Sequence, residues 1–314
     1  MTSFMEREPT IVIRPFETVS DVPRLARLLQ AVEAVDRDGE DVSEDTLREQ
    51  LALPGHDPTR DRWVAAELAN PATLLGWGFA WRVADEPLAT LAGAVLPAWR
   101  ERGIGSALLE RALARAGELG AKVAGVYANA HNAAATRFVL AHGFRPVASN
   151  TLLRVGGDVC LAEPAIPDNY TVRPYSEDIT STSLAQALSR SYAGLWGHHR
   201  VSESFVTHLL ARRRPEDILL LLAPGGDIVG VCRVERFGEA IPYIDAPGVV
   251  REQRSAELYV ALLLAACAHL RSTHPAAIEM ESWGDADETL AAYQALGFAV
   301  VRQTTAYECP ILKQ

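Results

Sequence analysis

At 314 residues the chain is long enough for two domains of ordinary size, because single cores rarely grow much beyond ~250 residues. A formal net charge of -10, a pI near 5.3 and the lack of any Lys/Arg block exclude the basic face that a nucleic-acid partner requires. Cys160, Cys232, Cys267 and Cys309 stand far apart with no CxxC pair, which speaks against a zinc site or any other metal site and against a disulfide framework; a reducing cytoplasm fits.

The opening stretch MTSFMEREPT is charged where a signal peptide needs an apolar core, and the longest aliphatic run, 218–223, is too short to span a bilayer. The chain therefore reads as soluble and cytoplasmic, with no membrane partner. Only Lys122 and Lys313 are lysines; arginine dominance with abundant alanine is the composition of a GC-rich bacterial genome.

In chain order the pattern predicts a strand over 10–16, a helix over 20–34, a polar segment, and apolar runs at 62–68, 74–83 and 88–96. A helix from Gly105 to about Leu119, a strand over 121–128, a helix from about Asn132 to Ala141 and a last strand follow. Leu108, Leu109, Ala112, Leu113, Ala116 and Leu119 fall on one side of the first of these later helices, a helical period. Strands with interspersed helices give an α/β or α+β domain.

The series then repeats. Ile13-Arg14-Pro15-Phe16 returns as Val172-Arg173-Pro174-Tyr175, and Val42-Ser43-Glu44 as Val201-Ser202-Glu203, both offset by 159. Leu75-Gly76 and Val229-Gly230, Arg100 and Arg254, and Gly143-Phe144 and Gly297-Phe298 correspond at 154. Five matches in one order with one deletion indicate a tandem duplication, with domains expected over 1–160 and 161–314. The joint is expected in the Gly-, Pro- and Asn-rich stretch 156–169.

One stretch of the first copy carries chemistry. In VLPAWRERGIGSALL, residues 95–109, a strand feeds a glycine-containing turn that opens a helix. Such a junction presents unpaired N–H groups and the positive end of the helix dipole to one point, which suits a phosphate. Gly103 and Gly105 would let the backbone approach the anion, and Arg100 and Arg102 would add charge-assisted bonds. Leu108 stands where a dinucleotide fingerprint needs its third glycine, and no GK[ST] follows.

Arg100-x-x-Gly103-x-Gly105 between strand and helix, followed by Asn132-x-x-Ala135 and Gly143-Phe144, resembles the acyl-CoA signature of the GNAT acyltransferase superfamily. The tandem arrangement resembles mycothiol synthase and its relatives. The resemblance implies two GNAT-like domains, each a mixed sheet flanked by helices, with acetyl-CoA or another acyl-CoA as co-substrate and a small-molecule amine as acceptor. It further implies a pyrophosphate on the turn formed by Arg100, Arg102, Gly103, Ile104, Gly105 and Ser106, and a pantetheine beside Val95 and Leu96 with Asn132 near it.

The family's leaving-group acid, a tyrosine four residues before the glycine of GF, is here Val139. Tyr127 is the substitute candidate, against the reading of a packed strand tyrosine; His131 is a possible base, or a solvated loop residue. The second copy keeps the tyrosine as Tyr293, either that acid or a core aromatic. It puts Glu257 and Tyr259 in place of the two glycines, which is expected to strain the turn and repel a pyrophosphate. Glu279 and Glu281 are expected to share one strand face.

The acidic residues Glu33, Asp36, Asp38, Glu40, Asp41, Glu44 and Asp45 suggest either a wall that attracts a cationic amine or a solvated face with Ser43 as a helix cap. The corresponding stretch of the second copy, 194–200, carries adjacent histidines without metal spacing. Rival readings are a non-catalytic acyl-CoA sensor or scaffold, and transfer to a protein lysine or N-terminus.

Overall fold

The computed structural model describes residues 10–39, 42–51, 56–83, 86–195, 198, 200–212, 214–236, 241–284 and 286–311. The chain folds into two compact units: unit 1 comprises residues up to Val147 and again from Thr305, and unit 2 is Ala148–Thr304.

Unit 1 runs β1 (Ile11–Pro15), α1 (Thr18–Asp36), α2 (Glu44–Leu51), α3 (Pro58–Asp61), β2 (Arg62–Glu67), β3 (Asn70–Arg82), β4 (Leu88–Val95), α4 (Ile104–Glu118), β5 (Val123–Asn129) and α5 (Ala133–Ala141), then the first residues of β6 (Arg145–Gly156). Unit 2 continues β6 and runs β7 (Thr171–Pro174), α6 (Ser181–Ser191), α7 (Glu203–Arg212), β8 (Ile218–Leu222), β9 (Ile228–Glu235), β10 (Tyr243–Ile244), β11 (Gly248–Val249), α8 (Ala256–Arg271), β12 (Ala277–Trp283), α9 (Asp287–Ala295) and the start of β13 (Ala299–Pro310).

In unit 1 β1 to β4 form an antiparallel meander, and β5 joins β4 in parallel. One face is covered by α1 and α2, whose Val22, Leu25, Leu28 and Leu47 pack on Val64, Ala66 and Trp77. The other carries α4 and α5, through Ile104, Leu108, Ala112 and Val139, over Ala65, Leu91, Ala124 and Val126. Leu108, buried there at a worth of ~1.5–3 kcal/mol, needs the glycines of β3. A Cβ on Gly76 would stand 3.1 Å from Leu108 Cδ1.

The second copy repeats this contact: a Cβ on Gly230 would stand 2.9 Å from Leu262 Cδ1. Gly143 and Gly297 likewise share a left-handed backbone, φ 82° and 99°. The duplication read from the sequence is thus repeated in packing. Within unit 2 the strand order is β7-β8-β9-β10-β12-β6, with β11 paired to β9.

Two features differ from expectation. The polar segment contains α2, where Ser43 accepts the Thr46 N–H at 3.2 Å; with Leu47 buried in a helix of mostly polar residues, it leaves little periodic signal. The units also do not divide at 160. The last strand of the first copy, β6, pairs antiparallel with β12 in unit 2, whereas the end of β13 lies beside β5 in unit 1. The Gly/Pro-rich stretch after Gly156 is a loop inside unit 2, because punctuation residues mark a break in regular structure and not the border of a core.

Candidate functional site

The ladder between β4 and β5 is short. It pairs Leu88 with Val123, Ala89 with Ala124 and Thr90 with Gly125, and then the strands part. Beyond Thr90, Ala92 and Gly93 are exposed and Val95 and Leu96 half-buried, while β4 stays bonded to β3 up to Val95. A slot therefore opens beside β4, and Val95 and Leu96 lie at the end expected to hold a pantetheine.

At that end a single 3-10 turn, Pro97–Trp99, leads into Glu101 and Gly103, both in the left-handed region at φ 62° and 80°. Gly103 is the N-cap of α4 and offers no side chain to cap it; the Ala107 N–H is bonded back to the Gly103 carbonyl at 3.0 Å. The N–H groups of Ile104, Gly105 and Ser106 precede the first intrahelical donor and face the turn, an anion-binding arrangement. The two glycines differ in role. A Cβ on Gly103 would meet nothing within 4 Å, so its φ is what matters; a Cβ on Gly105 would lie 3.2 Å from the Phe138 ring, so Gly105 admits α5.

Arg100 does not aim at the anion. Its Nε donates to the Val95 carbonyl at 3.1 Å, and its two terminal nitrogens donate to Asp36 at 2.8 and 2.6 Å. The guanidinium expected at the phosphate is thus engaged by Val95 and Asp36 within the protein. Arg254 gives the reason: its Nε donates to the Val249 carbonyl at 2.9 Å and its terminal nitrogen to the Ser191 and Ala193 carbonyls. Both arginines tie the strand end to the C-terminal end of the first helix of their copy, with or without a glycine turn. Arg102 is exposed, stacked over Trp99 at 4.8 Å.

Ser106 faces a partner that sequence spacing does not reveal. Its Oγ lies 2.9 Å from His142 Nε2, and His142 Nδ1 lies 2.8 Å from the Phe138 carbonyl. Asn132 caps α5, its Oδ1 accepting the Ala135 N–H at 3.0 Å.

On the other sheet face, Asn129 donates to the Asp38 carbonyl at 3.0 Å and His131 Nε2 lies 3.0 Å from the Asp36 carbonyl, so β5 and the loop after it hold the segment following α1. Most of the acidic wall is already engaged. Asp36 holds Arg100, Glu33 accepts the Asp38 and Gly39 N–H groups, and Glu44 and Asp45 hold Arg48. Glu40 and Asp41 lie outside the described residues, as do Trp196, Gly197 and His199.

Tyr127 lies on this face of β5, 43% exposed. Burial, and next the Glu308 carboxylate, raise its phenol above the ordinary tyrosine range, so it stays protonated. Val139 is buried in the core. Sequence reasoning also missed Arg62 on β2, a fully buried guanidinium set over Phe79 at 4.8 Å with Nε bonded to His56 Nε2 at 2.9 Å; burial lowers it to about 10.

Unit 2 has a different turn. Its α8 begins at Ala256, capped by Ser255 Oγ accepting the Leu258 N–H at 3.3 Å. Glu257 and Tyr259 lie inside the helix without positive φ, which corrects the expected backbone strain: an earlier helix start removes the left-handed residue. Tyr293 is fully buried in the unit 2 core, which removes it from contact with a substrate. Glu279 and Glu281 are both half-buried on β12, alternating with the buried Ile278 and Met280; Glu279 pairs with Arg154, and Glu281 accepts from Trp283 Nε1. Among the described residues no three His, Cys, Asp or Glu side chains could hold a metal, and no helix is long and apolar enough to cross a membrane.

Residues 59–146 match the family described as Acetyltransferase (GNAT) domain. A GCN5-related N-acetyltransferase from Sphaerobacter thermophilus superposes with a TM-score of 0.77 at 19% identity, over 96% of both chains. A tandem GNAT protein from the clavulanic acid biosynthesis pathway gives 0.69 at 17% identity, over 97% of this chain and 100% of that one. A glucosamine N-acetyltransferase region of a fungal multi-domain β-N-acetylglucosaminidase gives 0.71 at 15% identity, over 97% of this chain and 38% of that one. No curated protein matches.

Proposed function

We propose that this chain, whose residues 59–146 match a GNAT domain and whose fold is shared with solved GNAT structures, transfers through unit 1 an acyl group from acyl-CoA, acetyl-CoA in the simplest case, to the amine of a small acceptor. The observation that carries this is the uncapped N-terminus of α4 at the mouth of the slot where β4 and β5 part. Unit 2 lacks it, because α8 is capped by the Ser255 side chain, which accepts the Leu258 N–H, so unit 2 is assigned a supporting role.

Ile104, Gly105 and Ser106 would hold the pyrophosphate through their main-chain N–H groups, with the exposed Arg102 adding charge from outside. The amides of β4 that face away from β3 would polarise the thioester carbonyl, an electrostatic contribution fixed before reaction begins. The amine must arrive neutral: its nitrogen bonds to the carbonyl carbon, the carbon–sulfur bond breaks with its electron pair leaving on the thiolate, and the nitrogen gives up one proton to solvent. With Val139 in the core, solvent supplies the thiolate's proton; Tyr127 is the one exposed phenol on the acceptor face of β5. Paired carboxylates leave the segment after α1 less negative than its composition, so the acceptor need not be cationic.

The test is an acceptor screen with the purified chain, following thiol release and the mass of the product, with calorimetric stoichiometry beside it. One acyl-CoA per chain, unaffected by Arg254→Ala, is expected. Two per chain would overturn the assignment of unit 2, and binding without release across a broad amine panel would favour a sensor.

A further inference from the structure

We propose that His142 belongs to the anion site of unit 1, acting through Ser106, and that pyrophosphate binding there draws one proton onto the His142 ring. The proposal rests on the acyl-CoA reading above.

Donor and acceptor roles are forced by geometry. The Phe138 carbonyl only accepts, so Nδ1 of His142, 2.8 Å away, carries a hydrogen in either charge state. In the neutral ring Nε2 is then an acceptor, and Ser106, 2.9 Å away, must give it the one hydrogen of its hydroxyl. Ser106 is the third residue of α4, and side chains there lean back towards the helix N-terminus, where the anion would sit. In that state Oγ would offer the anion only lone pairs.

A pyrophosphate oxygen also only accepts. For Ser106 to bond it, the hydroxyl hydrogen must rotate outward, and Nε2 would be left facing lone pairs unless it gains a hydrogen. The ring takes one proton from solvent at Nε2, Nε2–H donates to Oγ, and Oγ–H donates to the anion. The imidazolium also adds a positive charge beside it.

The ring's surroundings leave this coupling to Ser106. Its own helix contributes the Phe138 ring, centroid 4.3 Å away, and α4 contributes Ser106. The charged side chains on the flanking stretches, Arg102, Glu110, Arg137 and Arg145, are exposed and none bonds the ring; the thiol of Cys309 on β13 lies near the neighbouring Gly143. Among the described residues no carboxylate or guanidinium forms an ion pair with His142.

The experiment uses the full chain and 3′-dephospho-acetyl-CoA, because the 3′-phosphate of CoA would itself titrate near ~6. Calorimetry in two buffers of different ionisation enthalpy counts protons taken up per ligand. Uptake approaching one is expected in alkaline buffer, with Kd weakening by up to ~10-fold per pH unit as the pH is raised. His142→Asn and Ser106→Ala should each abolish the uptake and flatten the pH dependence while weaker binding persists. Wild-type binding with no proton uptake, or uptake that survives in both variants, would overturn the proposal and leave the acyl-CoA reading standing. Failure of the wild type to bind the probe would sink both.

Discussion

The engagement of Arg100 with Asp36 turns a familiar motif residue into a decisive experiment. If the guanidinium contacted the pyrophosphate through two charge-assisted bonds, each worth ~1.5–3 kcal/mol, Arg100→Gln would weaken acyl-CoA binding by about 10²- to 10⁴-fold. As a clamp it instead holds the strand end and the turn before α4 in place through Val95 and Asp36. Losing that order costs ~1–2 kcal/mol for each residue that must be fixed again on binding, or about 5- to 30-fold for a single residue. The sign of a second change separates the cases more sharply than size. Asp36→Asn should weaken binding in the same direction as Arg100→Gln, by no more, and the double variant should be no worse than Arg100→Gln alone, since that change already removes the Asp36 contact along with the Val95 one. The assay is calorimetric titration with acetyl-CoA on all four proteins. Tighter binding in Asp36→Asn would mean that a freed Arg100 reaches the phosphate, and would refute the clamp.

Gly105→Val should cost ~1–3 kcal/mol of stability and at least ~10-fold in acyl-CoA affinity, because its Cβ meets the Phe138 ring at 3.2 Å, whereas Gly103→Ala, strained only by its φ of 80°, should cost ~1 kcal/mol; thermal unfolding and titration check both. His56, lowered below 6.5 by burial and then by Arg62, protonates more readily when unfolded. Its contribution is full above ~6.5 and is lost as pH falls below it, so unfolding midpoints should drop between pH 7 and 5, less steeply in His56→Gln. Tyr127→Phe should keep most turnover, and Glu308→Gln should bring the Tyr127 ionisation down in an ultraviolet titration, because one of its two causes is gone.

Periodicity was enough for β2 to β5, α4 and α5, whose apolar residues recur at the spacing of the face they bury. It was not enough for α2, with little to bury, or for the partners of β6 and β13, since a strand's own residues do not say which neighbour it joins. The glycine turn was legible because φ and close approach restrict residue type. The direction of Arg100 was not, as an arginine suits a carboxylate and a phosphate equally. Ser106 and His142 are 36 residues apart, a pairing made by the packing of α5 on α4 and by no local pattern.

The placement of β13 bears on how this gene can evolve. Unit 1 is completed beside β5 by the end of the second copy's own last strand, β13. Losing the second copy would bare the β5 edge, with its unpaired main-chain groups, in the very copy that retained the glycine turn. The two copies thus came under unequal constraint. Glu257 and Tyr259 stand at the second turn where the first has glycines, whereas deletion of the second copy would remove β13 from beside β5. A duplicate of this kind persists as structural ballast, free to drift in chemistry and bound to remain in the chain.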